Sequence, residues 1–124
     1  GISQLLTPTE NLKFWCQQHC VDKNDEAIHV ILAELGLTGL EDIAVKNLSA
    51  GQQRRVTLAK LWLKTAATLW VLDEPFTALD VQLIAELEAK MTSFLKTGGA
   101  IIITSHQKLH IDYALSNLHL DYSW

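Results

Sequence analysis

Basic charge, cysteine, proline and long apolar runs are all scarce in this 124-residue chain, and each scarcity closes off a class of protein. Ten Lys and Arg against fourteen Asp and Glu, a formal charge of -4, leave no cationic surplus for gripping a phosphate backbone. Nucleic acid is therefore not an expected partner. The longest strongly apolar stretch, Leu61 to Leu72, is interrupted by Lys64 and by threonines, and it falls short of the ~20 residues that a membrane-spanning helix needs. No cationic leader with a small-residue cleavage site opens the chain, so the cytoplasm is the expected compartment. The first residue is Gly1 rather than Met, which points to a piece of a longer protein.

Two cysteines, Cys16 and Cys20, stand one helical turn apart on either side of His19. That spacing suits a metal or haem contact, or simply reduced thiols on a helix. No second ligand pair and no haem-attachment spacing follows, so reduced thiols are the preferred reading. What is present is ordinary for a globular protein: 48% hydrophobic and 19% charged residues. A chain of this length suits one domain, burying roughly two-thirds of its unfolded surface.

Thr7-Pro8-Thr9-Glu10 reads as a helix start, with a capping threonine, proline at the first helical position and glutamate closing a capping box. This helix is expected to run to about Cys20. Asn24 and Asp25 open a second one, with Ile28, Ile31, Leu32 and Leu35 on one face and Gly36 at its end. Residues 1–47 are thus expected to form a small helical lobe, with Gly39 to Asn47 as a connector. Ser49 and Gln52 form a second capping-box pattern, leading a helix to about Lys64 that is apolar around much of its circumference. Thr68 to Leu72 and Ala100 to Thr104 read as strands buried on both faces. Between them, Asp80 caps a helix whose Ile84, Leu87, Met91 and Phe94 face inward and which Gly98-Gly99 terminates. Strand, helix, strand is a βαβ unit with parallel strands. A short helix after Ser105 and His106, reaching about Leu115, and a half-exposed strand over Leu118 to Tyr122 complete the expected α/β core of residues 48–124.

In open α/β sheets ligands sit beyond the carboxyl ends of the strands. Both expected strands end there in polar groups: Asp73 and Glu74 after one, Ser105 and His106 after the other. An apolar strand followed by two carboxylates suits a magnesium-nucleotide site, one acid for the metal and one to activate water. A solvated loop or helix cap carries the same pattern. The neighbouring motifs separate these readings. Leu48-Ser49-Ala50-Gly51-Gln52-Gln53-Arg54-Arg55 resembles the signature loop of ATP-binding cassette proteins, with Ala50 where glycine is more common. Leu69-Trp70-Val71-Leu72-Asp73-Glu74-Pro75 is similar to the Walker B strand with its glutamate, Thr77-Ala78-Leu79-Asp80 to the D-loop, and Thr104-Ser105-His106 to the switch-histidine segment. Four motifs in the family's order and spacing are a specific signal.

The resemblance implies a partial P-loop NTPase sheet with a helical lobe, and these roles. Ser49, Ala50 and Gly51, at a helix N-terminus suited to anions, contact the terminal phosphate of ATP on the opposite subunit, with Gln52 supporting the loop. Ser49 can equally be a helix cap. Asp73 holds Mg²⁺ through water, Glu74 is the general base, His106 bridges phosphate and the Glu74 region, and Asp80 reports across the dimer interface. Pro75 ends the strand and directs the carboxylate. Arg54 and Arg55 read as no more than solvated helix residues, and His19, His29, His110 and His119 as surface or packing residues. No G-x-x-x-x-G-K-[ST] occurs, so the phosphate-cradling half and the Q-loop glutamine are expected before Gly1, Gln4 being too close to the helical lobe. The chain alone is then expected to be inactive and to self-associate through an exposed sheet edge and face.

Within the family, Leu6 to Leu12, Ala59-Lys60-Leu61-Trp62-Leu63 and Glu74 to Asp80 resemble the ATP-binding subunits of bacterial haem exporters used in cytochrome c maturation. That resemblance implies a homodimer acting with integral membrane subunits at the cytoplasmic face of the inner membrane. Alternatives are a cassette of another transport system, or a stand-alone module that offers only a signature loop. A DNA-maintenance cassette is disfavoured because its heptad-rich insertion is absent.

Overall fold

The computed structural model describes residues 1–64, 68–106, 108–111 and 113–116. Its elements run α1 (Pro8–Gln18), α2 (Asp25–Glu34), a 3₁₀ turn (Val45–Asn47), α3 (Ala50–Leu63), β1 (Leu69–Asp73), α4 (Val81–Lys96) and β2 (Ala100–Thr104). The caps set these boundaries. At α1, Thr7 Oγ1 accepts from the Glu10 amide while the Glu10 carboxylate accepts from the Thr7 amide, so two first-turn donors are satisfied reciprocally. Asn24 caps α2 through the Ala27 amide at 2.9 Å. At the other end of α2, Gly36 takes a φ of +73° and the Leu37 amide reaches back to the Leu32 carbonyl at 2.9 Å. That backbone geometry closes the helix and is one that glycine adopts without a Cβ penalty.

α1, α2 and α3 pack on one another around Leu12, Ile28, Leu32, Leu35, Val45, Val56 and Leu63, all shut off from solvent. Burying side chains of this size contributes about 1.5–3 kcal/mol each. Leu83 of α4 joins the same cluster, so the lobe is not sealed from the rest of the molecule.

β1 and β2 pair in parallel, with Leu69 opposite Ala100 and Asp73 opposite Thr104, as the βαβ reading requires. Side chains alternate along strands, and here the two faces differ sharply. Trp70 is 2% exposed. It stacks on Phe94 of α4 with ring centroids 4.0 Å apart, inside a second cluster with Leu58, Leu61, Phe76, Leu87 and Met91. On the opposite face Leu69 is 49% exposed, Val71 69% and Ile102 60%. The expectation of strands buried on both faces is therefore corrected: α3 and α4 cover one face, and none of the described residues covers the other. The apolar run reports the environment these strands are suited to, not the one these 124 residues supply.

The helix expected after His106 to about Leu115 is also absent among the described residues. A helix would need the His110 amide to bond to the carbonyl four residues back, but that amide donates to the Glu88 carboxylate on α4 at 2.5 Å. Leu109 packs on the second cluster instead. The strand expected over 118–122 lies outside the described residues.

Candidate functional site

β1 and β2 end side by side, and their register fixes what meets there. Asp73 and Thr104 are paired and share a face, so Thr104 Oγ1 donates to Asp73 Oδ1 at 2.5 Å. The next residue, Glu74, is anchored to β2 through its amide, which donates to the Thr104 carbonyl at 3.0 Å and to Thr104 Oγ1 at 3.1 Å. Glu74 then takes a φ of +45°, in the left-handed region that costs a residue with a Cβ on the order of 1–3 kcal/mol. From that conformation its Oε1 lies 3.2 Å from Nε2 of His106, the second residue after β2. His106, more than thirty positions beyond the adjacent Asp73 and Glu74 in sequence, is thus brought together with them at the carboxyl ends of the strands. A carboxylate within reach of an exposed imidazole can polarise a water and accept its proton.

α3 supplies the other wall. Ser49 is exposed and caps the helix, its Oγ accepting from the Gln52 amide at 3.1 Å and its own amide donating to Gln52 Oε1 at 2.9 Å. The capping box accounts for two donors. The first-turn amides of Ala50 and Gly51 have no intrahelical acceptor to reach, which leaves this tip suited to an anion. Gln53, beside it, fastens the preceding loop by donating to the Val45 and Leu48 carbonyls at 3.0 and 3.1 Å. A cleft of about 610 Å³ runs between this helix start and the strand ends, lined by Ala50, Gln53, Arg54, Asp73, Glu74 and Ala78, with Gln4 on its rim.

Two residues here were misjudged from sequence. Arg54 and Arg55 are not solvated helix residues: Arg54 Nη2 donates to the Glu74 carbonyl at 2.7 Å, and Arg55 pairs with the Asp80 carboxylate. The signal was available. A helix apolar around its circumference, with Val56, Leu58, Ala59, Leu61 and Leu63 all buried, leaves arginines on its first two turns facing other elements of the chain. Asp80 meanwhile accepts from the Leu83 amide at 2.8 Å as the cap of α4, so both its oxygens are engaged within the chain. Ala78, in the same turn, also has a positive φ of 63°. Its carbonyl faces Gly51 at ordinary van der Waals spacing, 3.7 Å from where a Cβ would stand.

The residues present fit a magnesium nucleotide in part. Asp73 is exposed, and only its Oδ1 is taken by the Thr104 hydroxyl, which suits a hard cation held mostly by water and phosphate oxygens. The two thiols differ in setting, Cys16 buried and Cys20 exposed, and among the described residues no group of three His, Cys, Asp or Glu side chains is placed to hold a metal ion. Burial pushes the Cys16 thiol up from its ordinary pKa, the direction expected of a thiol in apolar surroundings. His19 stacks on Trp15 with centroids 4.2 Å apart, a packing role. No helix among the described residues is long and apolar enough to cross a membrane.

Comparison with known proteins bears on this geometry. A family model described as ABC transporter matches residues 2–77. The cytochrome c biogenesis ATP-binding export protein CcmA of Vibrio cholerae is 49% identical over 112 residues, 90% of this chain and 54% of the relative. Its namesake from Escherichia coli is 50% identical over 111 residues, 90% of this chain and 51% of the relative. The chain therefore spans about half the length of these curated relatives. Among solved structures, an ATP-binding subunit of an ABC transporter aligns with a TM-score of 0.75 at 22% identity, over 86% of this chain and 45% of that one. A dimeric ATP-binding cassette bound to ADP and Pi aligns with a TM-score of 0.72 at 20% identity, over 86% and 49%. These two show the fold.

Proposed function

The chain belongs to the ABC transporter family, and from that premise we propose that it forms the catalytic part of an ATP-hydrolysing subunit that powers export in cytochrome c biogenesis, with haem as the cargo class. One observation carries the reading: Asp73, Glu74 and His106 converge at the carboxyl ends of two parallel strands, across a cleft from an exposed, serine-capped helix tip.

The roles follow from the chemistry of each group. Glu74 is the general base, its carboxylate orienting a water and taking the proton as the water attacks the terminal phosphate of ATP. His106, within hydrogen-bond distance of that carboxylate, steadies it and contacts the same phosphate. Asp73 would hold Mg²⁺ through water, and the bound cation would supply charge neutralisation at the phosphate oxygens. Ser49 and the amides of Ala50 and Gly51 bind the terminal phosphate of the nucleotide carried by a second copy, with Gln52 fixing the loop. Asp80, capping α4 and paired with Arg55, holds the D-loop turn at the interface. Residues 1–47 act as the helical lobe and residues 48–124 as the signature helix with the α/β core. The working assembly is a homodimer with integral membrane subunits at the cytoplasmic face of the bacterial inner membrane. The cargo is chosen by those membrane subunits.

No phosphate-cradling P-loop motif occurs in the 124 residues, so the isolated chain neither binds ATP tightly nor hydrolyses it, and the uncovered face around Leu69, Val71 and Ile102 makes it self-associate. Micromolar ATP binding to this chain in a calorimeter contradicts the first statement. The decisive test is Glu74→Gln in the full-length protein. Loss of a general base lowers turnover by about 10²–10⁴-fold, while ATP binding survives. Hydrolysis at the parent rate removes Glu74 from the role.

A further inference from the structure

Arg54 belongs to none of the chemical roles above, yet it makes the contact that explains the odd backbone of Glu74. Three facts bear on that residue. Its φ is +45°. It precedes Pro75, and the proline ring drives the residue before it toward an extended conformation with φ near −120°. Its amide is tied down by Thr104, which fixes only the side facing β2. The peptide on the other side is held by Arg54 Nη2, 2.7 Å from the Glu74 carbonyl oxygen, and a charged donor makes this bond stronger than a neutral one. Both flanks of the residue are thus restrained in a conformation that its own sequence disfavours.

We propose that Arg54 is a positioning residue for the hydrolytic carboxylate: by holding the Glu74 carbonyl, its guanidinium keeps Glu74 left-handed and its side chain against His106. The inference rests on Glu74 being the general base. It also makes a link across the cleft. Arg54 stands on the helix whose tip carries Ser49, so the element that meets the partner's nucleotide is the element that sets the base. Arg55 on Asp80 holds the far end of the same turn, so α3 grips residues 74–80 at both ends. Without the Arg54 bond, the pull of Pro75 relaxes Glu74 toward the extended conformation and turns its carboxylate away from His106.

The test is steady-state ATP hydrolysis by the full-length protein. A misplaced catalytic group costs up to about 100-fold, so Arg54→Met is expected to lower kcat by about 10- to 100-fold. Because the loss is confined to the transition state, KM for ATP stays within about twofold. Arg54→Lys, which keeps a single-point donor, falls between. The discriminating variant is Arg54→Met with Pro75→Ala: removing the push toward the extended conformation restores much of the lost kcat, which a merely structural arginine does not predict. If Arg54→Met fails to fold, as read by its melting temperature, Arg54→Lys with and without Pro75→Ala carries the same comparison. A kcat for Arg54→Met within twofold of the parent, a defect in KM alone, or no relief from Pro75→Ala overturns the inference. Hydrolysis that survives Glu74→Gln instead defeats the assignment of the base. An inactive Glu74→Gln beside a fully active Arg54→Met defeats only the role of Arg54.

Discussion

The helical lobe and the two-stranded sheet are built on opposite terms. In the lobe, α1 and α2 close with α3 around Leu12, Ile28, Leu32 and Val56, none of which meets solvent, and each helix carries its own caps. In the sheet, one face is covered, with Trp70 buried on Phe94 and Leu72, Ile101 and Ile103 partly buried, while the other leaves Val71 69% exposed. The candidate chemistry lies at the end of this half-covered sheet, at Asp73 and Glu74, and one side chain from α3 reaches across to hold it. The contrast shows a division of labour. The lobe and α3 supply rigidity from contacts complete within the chain, and the strand ends, with a strained backbone and incomplete packing, depend on that rigidity for their geometry.

Substitutions break or sharpen this comparison in a graded way. Leu32→Ala, which opens a cavity at a fully buried lobe position, is expected to cost about 2–5 kcal/mol in chemical denaturation of the full-length protein. A loss under 1 kcal/mol there contradicts the closed core. Asp80→Ala removes both the cap of α4 and the partner of Arg55, and is expected to cost about 1–2 kcal/mol. A neutral result means that the joint between α3 and the turn contributes nothing. Val71→Thr, on the face left uncovered in the 124-residue chain, is expected to change the stability of that chain by no more than about 0.5 kcal/mol. In the 124-residue chain the same substitution weakens self-association, and light scattering that shows the parent chain monomeric at high concentration refutes the proposed role of that face.

Much of this was legible in the sequence because the information was local. Thr7 with Glu10, Asn24, Ser49 with Gln52, and Asp80 each marked a helix start through a side chain that bonds an amide two or three residues on, and Gly36 and Gly98 marked helix ends. The order of motifs pointed to Ser49, Asp73, Glu74 and His106; Asp73 and Glu74 line one cleft, His106 meets Glu74, and Ser49 caps α3. What sequence did not disclose depends on distant neighbours. Whether Val71 and Ile102 are covered is decided by what packs on them, and an apolar run reads the same in either case. The amide of His110 went to Glu88, twenty-two residues earlier, and no local pattern announces that competition with a helix. Arg54 and Arg55 look like any pair of solvated cations until α3 is laid beside the 74–80 turn.

The central claim is that each nucleotide is hydrolysed by Glu74 of one copy while Ser49 of the other touches its phosphate. It is tested most directly by mixing two full-length variants, Glu74→Gln and Ser49→Arg, each inactive as its own dimer. In a mixed dimer the second variant's intact Glu74 faces the first variant's intact Ser49, so the account predicts that ATP turnover reappears on mixing. No recovery, with mixed dimers shown to form, would contradict it.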